Sequence, residues 1–213
     1  MNIFATSPDP KQSAIWLDDK RVNKMITESA QIICTVLAAD GVKDLPFKPT
    51  HAHHPIVKWA GDTPANLWWT LQHHHALHGE WTYRFGKLHA SGLSFKTAES
   101  IHQAKFPKAF QNSAKNESRG LDFTWCDDVH LAYRMYMTAR WINDTRIPKW
   151  TKRSQPDWRL NCGEEGYFDL CKRAIQKRDN LCPRCGDELV FSGKGRLSSV
   201  QCKTSNCILW EPI

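Results

Sequence analysis

Val22, Met25, Ile26, Ser29, Ile32, Ile33, Val36 and Leu37 recur at three- and four-residue steps, which commits one stretch of the chain to a long helix with an apolar seam. Such a seam has to be covered by other elements, so this pattern constrains the architecture of the whole N-terminal region. The start signal lies just upstream. Ile3 to Thr6 is a short apolar run, and Ser7-Pro8-Asp9-Pro10 sets an acceptor side chain before a proline suited to a first helical turn. One amphipathic helix is therefore expected from there to about Ala39, closed by Gly41.

The same grammar places the other elements. His51, His53 and His54 ahead of Pro55 read as a histidine-rich loop, and Thr63-Pro64 reads as the cap and first position of an aromatic-rich helix reaching about Lys87. Thr97 to Lys105 suggests a shorter helix, Gln111 to Gly120 is a polar stretch, and Asp127 or Asp128 suits the cap of a third long helix through Trp141. From Arg146 to Arg159 basic and aromatic residues alternate with prolines, as in an ordered functional loop. A short helix near Glu164 to Lys177 leads into the tail. The fold class expected is mainly α: a compact helical domain over 1–160, a connecting helix or linker over 161–180, and a small β zinc ribbon over 181–213.

The tail is read from its cysteines. Cys182-Pro-Arg-Cys185-Gly is a knuckle that aims two thiolates at one metal, and Cys202 with Cys207 returns after the strand-like runs Glu188 to Phe191 and Leu197 to Gln201. Four cysteines saturate Zn²⁺ and leave no position for water, so the zinc expected here is structural. The chain has eight cysteines, no apolar run long enough to cross a bilayer and no signal-peptide pattern, which leads to the expectation of a cytoplasmic protein. A net charge of +7 favours a polyanionic partner, with nucleic acid foremost, and no nucleotide-cofactor motif is evident.

Chemistry is sought on the first long helix. Arg21, Lys24, Glu28 and Gln31 form a polar stripe beside the apolar seam, where a carboxylate flanked by cations can orient water or stabilise developing positive charge; the same spacing also suits an ordinary Lys24–Glu28 pair. His54 ahead of Trp59, and Glu80, Tyr83, Arg84 and Lys87 late in the second helix, add polar groups beside aromatics. His74 or His75 with His78 has a spacing compatible with a metal, but a histidine-rich exposed face is the reading preferred. The segment Lys149-Trp150-Thr151-Lys152-Arg153 offers phosphate contacts and a stacking surface together; Trp150 equally suits a core anchor.

Ser7-Pro-Asp-Pro, Trp16 to Lys24, Glu28-Ser-Ala-Gln31, His53 to Trp59, Glu80 to Lys87 and Pro148 to Arg153 together resemble the pyrimidine-dimer DNA glycosylase-like proteins of phages and bacteria, distant relatives of the endonuclease V of T-even phages. The resemblance covers roughly residues 1 to 159 and omits the tail. It implies an enzyme that removes a damaged or modified pyrimidine from DNA and can then act as an abasic-site lyase. In that phage enzyme the N-terminal amine attacks the sugar C1′, a helical glutamate assists, and arginines hold phosphates. Carried over, the resemblance makes Glu28 the carboxylate and Arg21 and Lys24 phosphate or base contacts; together with the residues read above, the candidate catalytic set is Glu28, Lys24, Arg21, His54 and Tyr83, and the candidate DNA contacts are Lys20, Arg84, Lys87, Lys149, Trp150, Lys152 and Arg153. Asn2 is not a small residue of the kind that favours removal of Met1, so the nucleophile stays open among the Met1 amine, Lys20, Lys24 and an activated water. Two other readings stand beside excision: a noncatalytic nucleic-acid-binding zinc-ribbon protein, and a base-modifying enzyme on the same scaffold.

Overall fold

A computed structural model describes residues 1–142 and 144–160 and two tail strands, 189–192 and 199–202. The first helix starts where the sequence places it: the Asp9 carboxylate accepts the Lys11 N–H at 2.9 Å and Pro10 takes the first position. It does not run on to Ala39. Instead α1 (Pro10–Trp16) stops, Leu17 and Asp18 are extended, and α2 (Asp19–Ala39) begins anew.

The break has a cause far away in sequence. In a continuous helix the Ile15 and Leu17 carbonyls would accept from Asp19 and Arg21. Here Arg84, on α4 (Pro64–Phe85), enters the corner and donates to Ile15 O at 3.0 Å and Leu17 O at 2.9 Å. The Asp19 N–H turns to Lys149 O, and Arg21 N–H bonds Asp18 O.

Local capping chemistry explains most of the remaining boundaries. His54 caps α3 (Pro55–Asp62), a helix that the histidine-rich loop was not expected to open, and its Nδ1 accepts the Ile56 N–H at 3.2 Å. Thr63 caps α4 through the Asn66 N–H, and Gly86, at φ 68°, closes it in the left-handed conformation. The helix expected over 97–105 is α5 (Phe95–Glu99), capped earlier by Ser94. The polar stretch after it forms a small antiparallel hairpin, β1 (Lys115–Asn116) with β2 (Leu121–Asp122), turned by a 3₁₀ segment over Glu117–Arg119. Asp128 accepts the His130 and Leu131 N–H groups ahead of α6 (Val129–Ile142), and α7 (Asp157–Leu160) follows the basic loop.

The core lies between α2, α4 and α1, with α3 against both long helices. The seam of α2 is buried as expected, from Val22 to Leu37. The N-terminal run Ile3–Thr6 is buried too, covered by α6: Phe4 stacks on Tyr136 at 5.9 Å, Arg134 Nε donates to Thr6 O at 2.8 Å, and His130 Nδ1 donates to Ala5 O at 2.8 Å. Burial pushes the Tyr133 phenol upward. Trp16, Trp141, Trp150 and Trp158 form one aromatic cluster; Trp59, Trp69 and Phe110 form another.

The expected histidine-rich exposed face holds at His75, which is exposed, and partly at His78, but not at His74: it and its neighbour His73 are buried, because their partners Pro10 O, Ser29 and the Leu93 N–H come from elements packed over α4. In the tail, β3 (Leu189–Ser192) pairs antiparallel with β4 (Ser199–Cys202), in a register that sets Leu189 opposite Cys202. Cys182, Cys185, Cys207 and the helix expected over 164–177 lie outside the described residues. Among the described residues no helix is long and apolar enough to cross a membrane.

Candidate active site

Glu28 sits mid-way along α2, on the edge where the polar stripe meets the buried seam, and its side chain is 16% exposed. One carboxylate oxygen accepts from Lys24 Nζ at 3.0 Å, while Lys24 itself is 64% exposed. The other accepts the main-chain N–H of Asn2 at 3.0 Å.

That second contact is built by an unusual N-terminal turn. The Asn2 side-chain oxygen accepts the Ile3 N–H at 2.8 Å and the Phe4 N–H at 3.0 Å, and its amide nitrogen donates to Ser113 O at 3.0 Å. Phe4 is thereby held at φ 42°, a left-handed conformation that costs a bulky residue on the order of 1–3 kcal/mol. Its ring, locked between Tyr133 and Tyr136, keeps that conformation in place. These bonds and the ring packing hold the Asn2 N–H against Glu28.

His54 faces the same place from the head of α3. Its proton affinity is lowered, chiefly by burial, then by the positive N-terminal amine and His51, with Glu28 pulling the other way. The Met1 amine, His51 and Glu28 thus each act on His54 through their charges. A carboxylate, a histidine that favours its neutral form and a main-chain terminus together supply a base, a proton acceptor and an amine. Neither Asn2, read from sequence only for its bearing on Met1 removal, nor Ser113 was expected in the site; the signal was an Asn placed to turn onto its own backbone two residues on.

The other expected site residues form different groups. Arg21, two turns before Glu28, is buried and bound to Asp18 at 3.2 Å and to Asp144. Burial works against ionisation of Asp144, but the Arg21 hydrogen bond and the charges of Arg21, Lys20 and Arg140 prevail and hold its carboxyl low. Arg84 is fully buried between Glu80 at 2.8 Å and Asp19 at 2.9 Å. Arg153 forks onto Glu80 at 2.8 and 2.9 Å, a bond that raises its affinity for its proton, and lies 4.2 Å over the exposed Tyr83 ring. Lys152 Nζ donates to Tyr83 O, and Thr151 is bound by Asp19. Trp150 Nε1 donates to Trp16 O, so the ring anchors the loop. Ile147, Pro148, Lys149, Trp150, Thr151, Arg153 and Gln155 line an open hollow of about 520 Å³. Lys87 lies over Trp81 at 5.7 Å.

The two groups are joined along α2, where Lys20, Lys24 and Glu28 follow at four-residue steps, and Lys20 and Lys24 are exposed. The span is about 12 Å. Among the described residues no three histidine, cysteine or acidic side chains gather where they could hold a metal ion, His74, His75 and His78 included.

Residues 1–91 match the family model described as pyrimidine dimer DNA glycosylase. The matched region runs from α1 through α4, so it carries Met1, Asn2, Lys24, Glu28 and His54, while Ser113, Asp144 and the Lys149–Arg153 loop lie beyond it. It supports a role in excision from DNA. No curated protein and no solved structure matches the chain.

Proposed function

We propose that the protein is a DNA glycosylase that excises a damaged or modified pyrimidine, with Glu28 as its carboxylate and an amine at the chain's start as its nucleophile. The observation that carries the reading is the Asn2 N–H held at 3.0 Å from Glu28 by a strained turn. The N-terminal amine of Met1 is one residue away; were Met1 removed, the Asn2 nitrogen would itself be that amine. Attack by the amine on the sugar C1′ breaks the glycosidic bond, and the base leaves with the bonding pair and takes up a proton. The amine then loses a proton, for which Glu28 and His54 are the nearby acceptors, and ring opening gives a Schiff base from which strand cleavage proceeds by β-elimination. Glu28 also offsets the positive charge that develops on the sugar. Lys20, Lys24, Lys87, Lys149 and Lys152 are exposed and suited to phosphates. Arg21, Arg84 and Trp150 serve the framework.

For the tail, the proposal is a structural Zn²⁺ held by Cys182, Cys185, Cys202 and Cys207. The strand register supports it: Cys202 stands opposite Leu189, four residues after Cys185. Zinc released on thiol modification, read with a chromophoric chelator, is expected at one per chain, and none would refute the site.

Excision is tested by incubating the protein with oligonucleotides carrying a thymine dimer, uracil or hydroxymethyluracil, followed by hot alkali and, in parallel, borohydride trapping. Strand breaks and a trapped adduct are expected with the unaltered chain, and Glu28→Gln is expected to lower the rate by about 10²–10⁴-fold. Neither breaks nor adduct on any of the three, or full activity of Glu28→Gln, would overturn the reading. Binding without cleavage, unaffected by Glu28→Gln, would favour a noncatalytic DNA-binding protein.

A further inference from the structure

The loop of residues 86–93, between α4 and α5, is tied down on both sides of a single outward-facing leucine. Gly86 returns its N–H to Thr82 O at 2.8 Å, and Lys87 lies over Trp81. His89 donates from Nε2 to Asn23 Oδ1 at 3.0 Å, accepts the Ser91 N–H on Nδ1 at 3.1 Å, and sets its ring edge-on to Trp81. The His89 carbonyl accepts from Gly92 and from His78. Ser91 shares a hydrogen bond of 2.8 Å with Thr27, and the Leu93 N–H reaches His74. Leu88 is the loop's large apolar side chain turned outward, 77% exposed.

A solitary exposed leucine is ordinary on a protein surface. Its mounting and position are what set this one apart. Asn23 and Thr27, the two α2 residues that hold the loop, each immediately precede a residue of the site, Lys24 and Glu28. Along the helix axis Asn23 lies about 7.5 Å from Glu28. Round the helix, Thr27 and Asn23 lie about 100° and about 140° from Glu28, with Lys24 and Lys20 between them, so the loop carrying Leu88 and the exposed Lys87 borders the exposed lysine stripe of α2 on the edge across from Glu28.

An enzyme that draws a nucleotide out of a duplex leaves a gap in the stack, and proteins that unstack DNA commonly fill such gaps with an apolar side chain. We infer that Leu88 is this wedge: it enters the stack where the target nucleotide has left it and holds that nucleotide toward Glu28. A rigid loop suits the task, since little conformational freedom is lost on insertion. This assignment rests on the excision reading and is tested partly apart from it.

The probe is a thymine-dimer duplex with 2-aminopurine beside the dimer, whose fluorescence rises on unstacking, together with the same dimer in a single strand. Binding is followed with Glu28→Gln protein, so that no excision is needed. Glu28→Gln is expected to raise the fluorescence, Glu28→Gln/Leu88→Ala to lose most of the rise, and Glu28→Gln/Leu88→Met to keep it. In single-turnover excision, Leu88→Ala is expected to slow the duplex reaction about tenfold more than the single-strand reaction, equal to about 1.4 kcal/mol. A rise undiminished by Leu88→Ala, no rise with Glu28→Gln itself, or equal slowing on both substrates would each overturn the wedge. Absence of excision by the unaltered chain, with a Leu88-dependent rise intact, would sink the excision reading and leave the wedge standing.

Discussion

Acid should weaken this fold well above the pH at which carboxylates protonate, because α4 carries two buried histidines whose charged forms burial disfavours, one of which would also lose a bond on taking up a second proton. His74 accepts the Leu93 N–H on Nε2 and donates from Nδ1 to Ser29, whose hydroxyl proton goes to Met25 O. A proton on Nε2 would set two donors face to face. His73 donates to Pro10 O and stacks on Trp69 at 4.9 Å. Burial lowers His73 to about 4; burial first, then the neighbouring histidines, lowers His74 to about 3.

Both values lie below the unfolded value near 6.5, so the unfolded chain binds more protons throughout the interval. The stability from keeping these rings neutral is therefore complete above pH 6.5 and drains away as pH falls toward 4 and 3. Each ring contributes a slope of up to about 1.4 kcal/mol per pH unit, and the pair should cost about 4 kcal/mol between pH 7 and pH 5. Against a typical total of about 5–15 kcal/mol, that is a large share. Urea midpoints measured from pH 7.5 to 4.5 test it. His73→Gln and His74→Gln are each expected to flatten the slope by about half, whatever they do to stability at pH 7.5. A midpoint flat between pH 6.5 and 5, or slopes unchanged in both variants, would refute the reasoning.

Arg84→Met should be far more damaging than its conservative length suggests, by about 3–5 kcal/mol in thermal or urea melts, since it takes from Asp19 and Glu80 the buried cation they share and leaves the Ile15 and Leu17 carbonyls without their donor. Thr63→Ala removes the cap of α4 and should cost about 1 kcal/mol in the same melts. If His54 accepts a proton during excision, its lowered affinity should keep the rate level as pH falls into the ordinary histidine range, and His54→Asn should abolish the acid limb of a pH–rate profile.

What could be read from sequence was what local chemistry decides. Asp9, Thr63 and Asp128 cap their helices through bonds spanning two or three residues, and the apolar steps of α2 face inward as their period requires. The break at Leu17 could not be read, because it is made by Arg84, 67 residues away from the carbonyl it takes. The burial of His73 and His74 likewise depends on partners outside their helix. On the polar stripe of α2, spacing alone gave Arg21 and Glu28 equal standing; only the arrival of Asp144 at one and of Asn2 at the other separates a buried ion pair from a carboxylate facing the chain's start.

The covering of Ile3–Thr6 by α6 separates heredity from mechanics in this molecule. The match to the glycosylase family model ends at residue 91, yet the rings that clamp Phe4, and with it the turn that aims Asn2, come from Tyr133 and Tyr136. A fragment trimmed to the matched stretch would keep the reacting groups but lose the vice that grips them. Substitutions in α6, far from any DNA, should therefore register as slower chemistry.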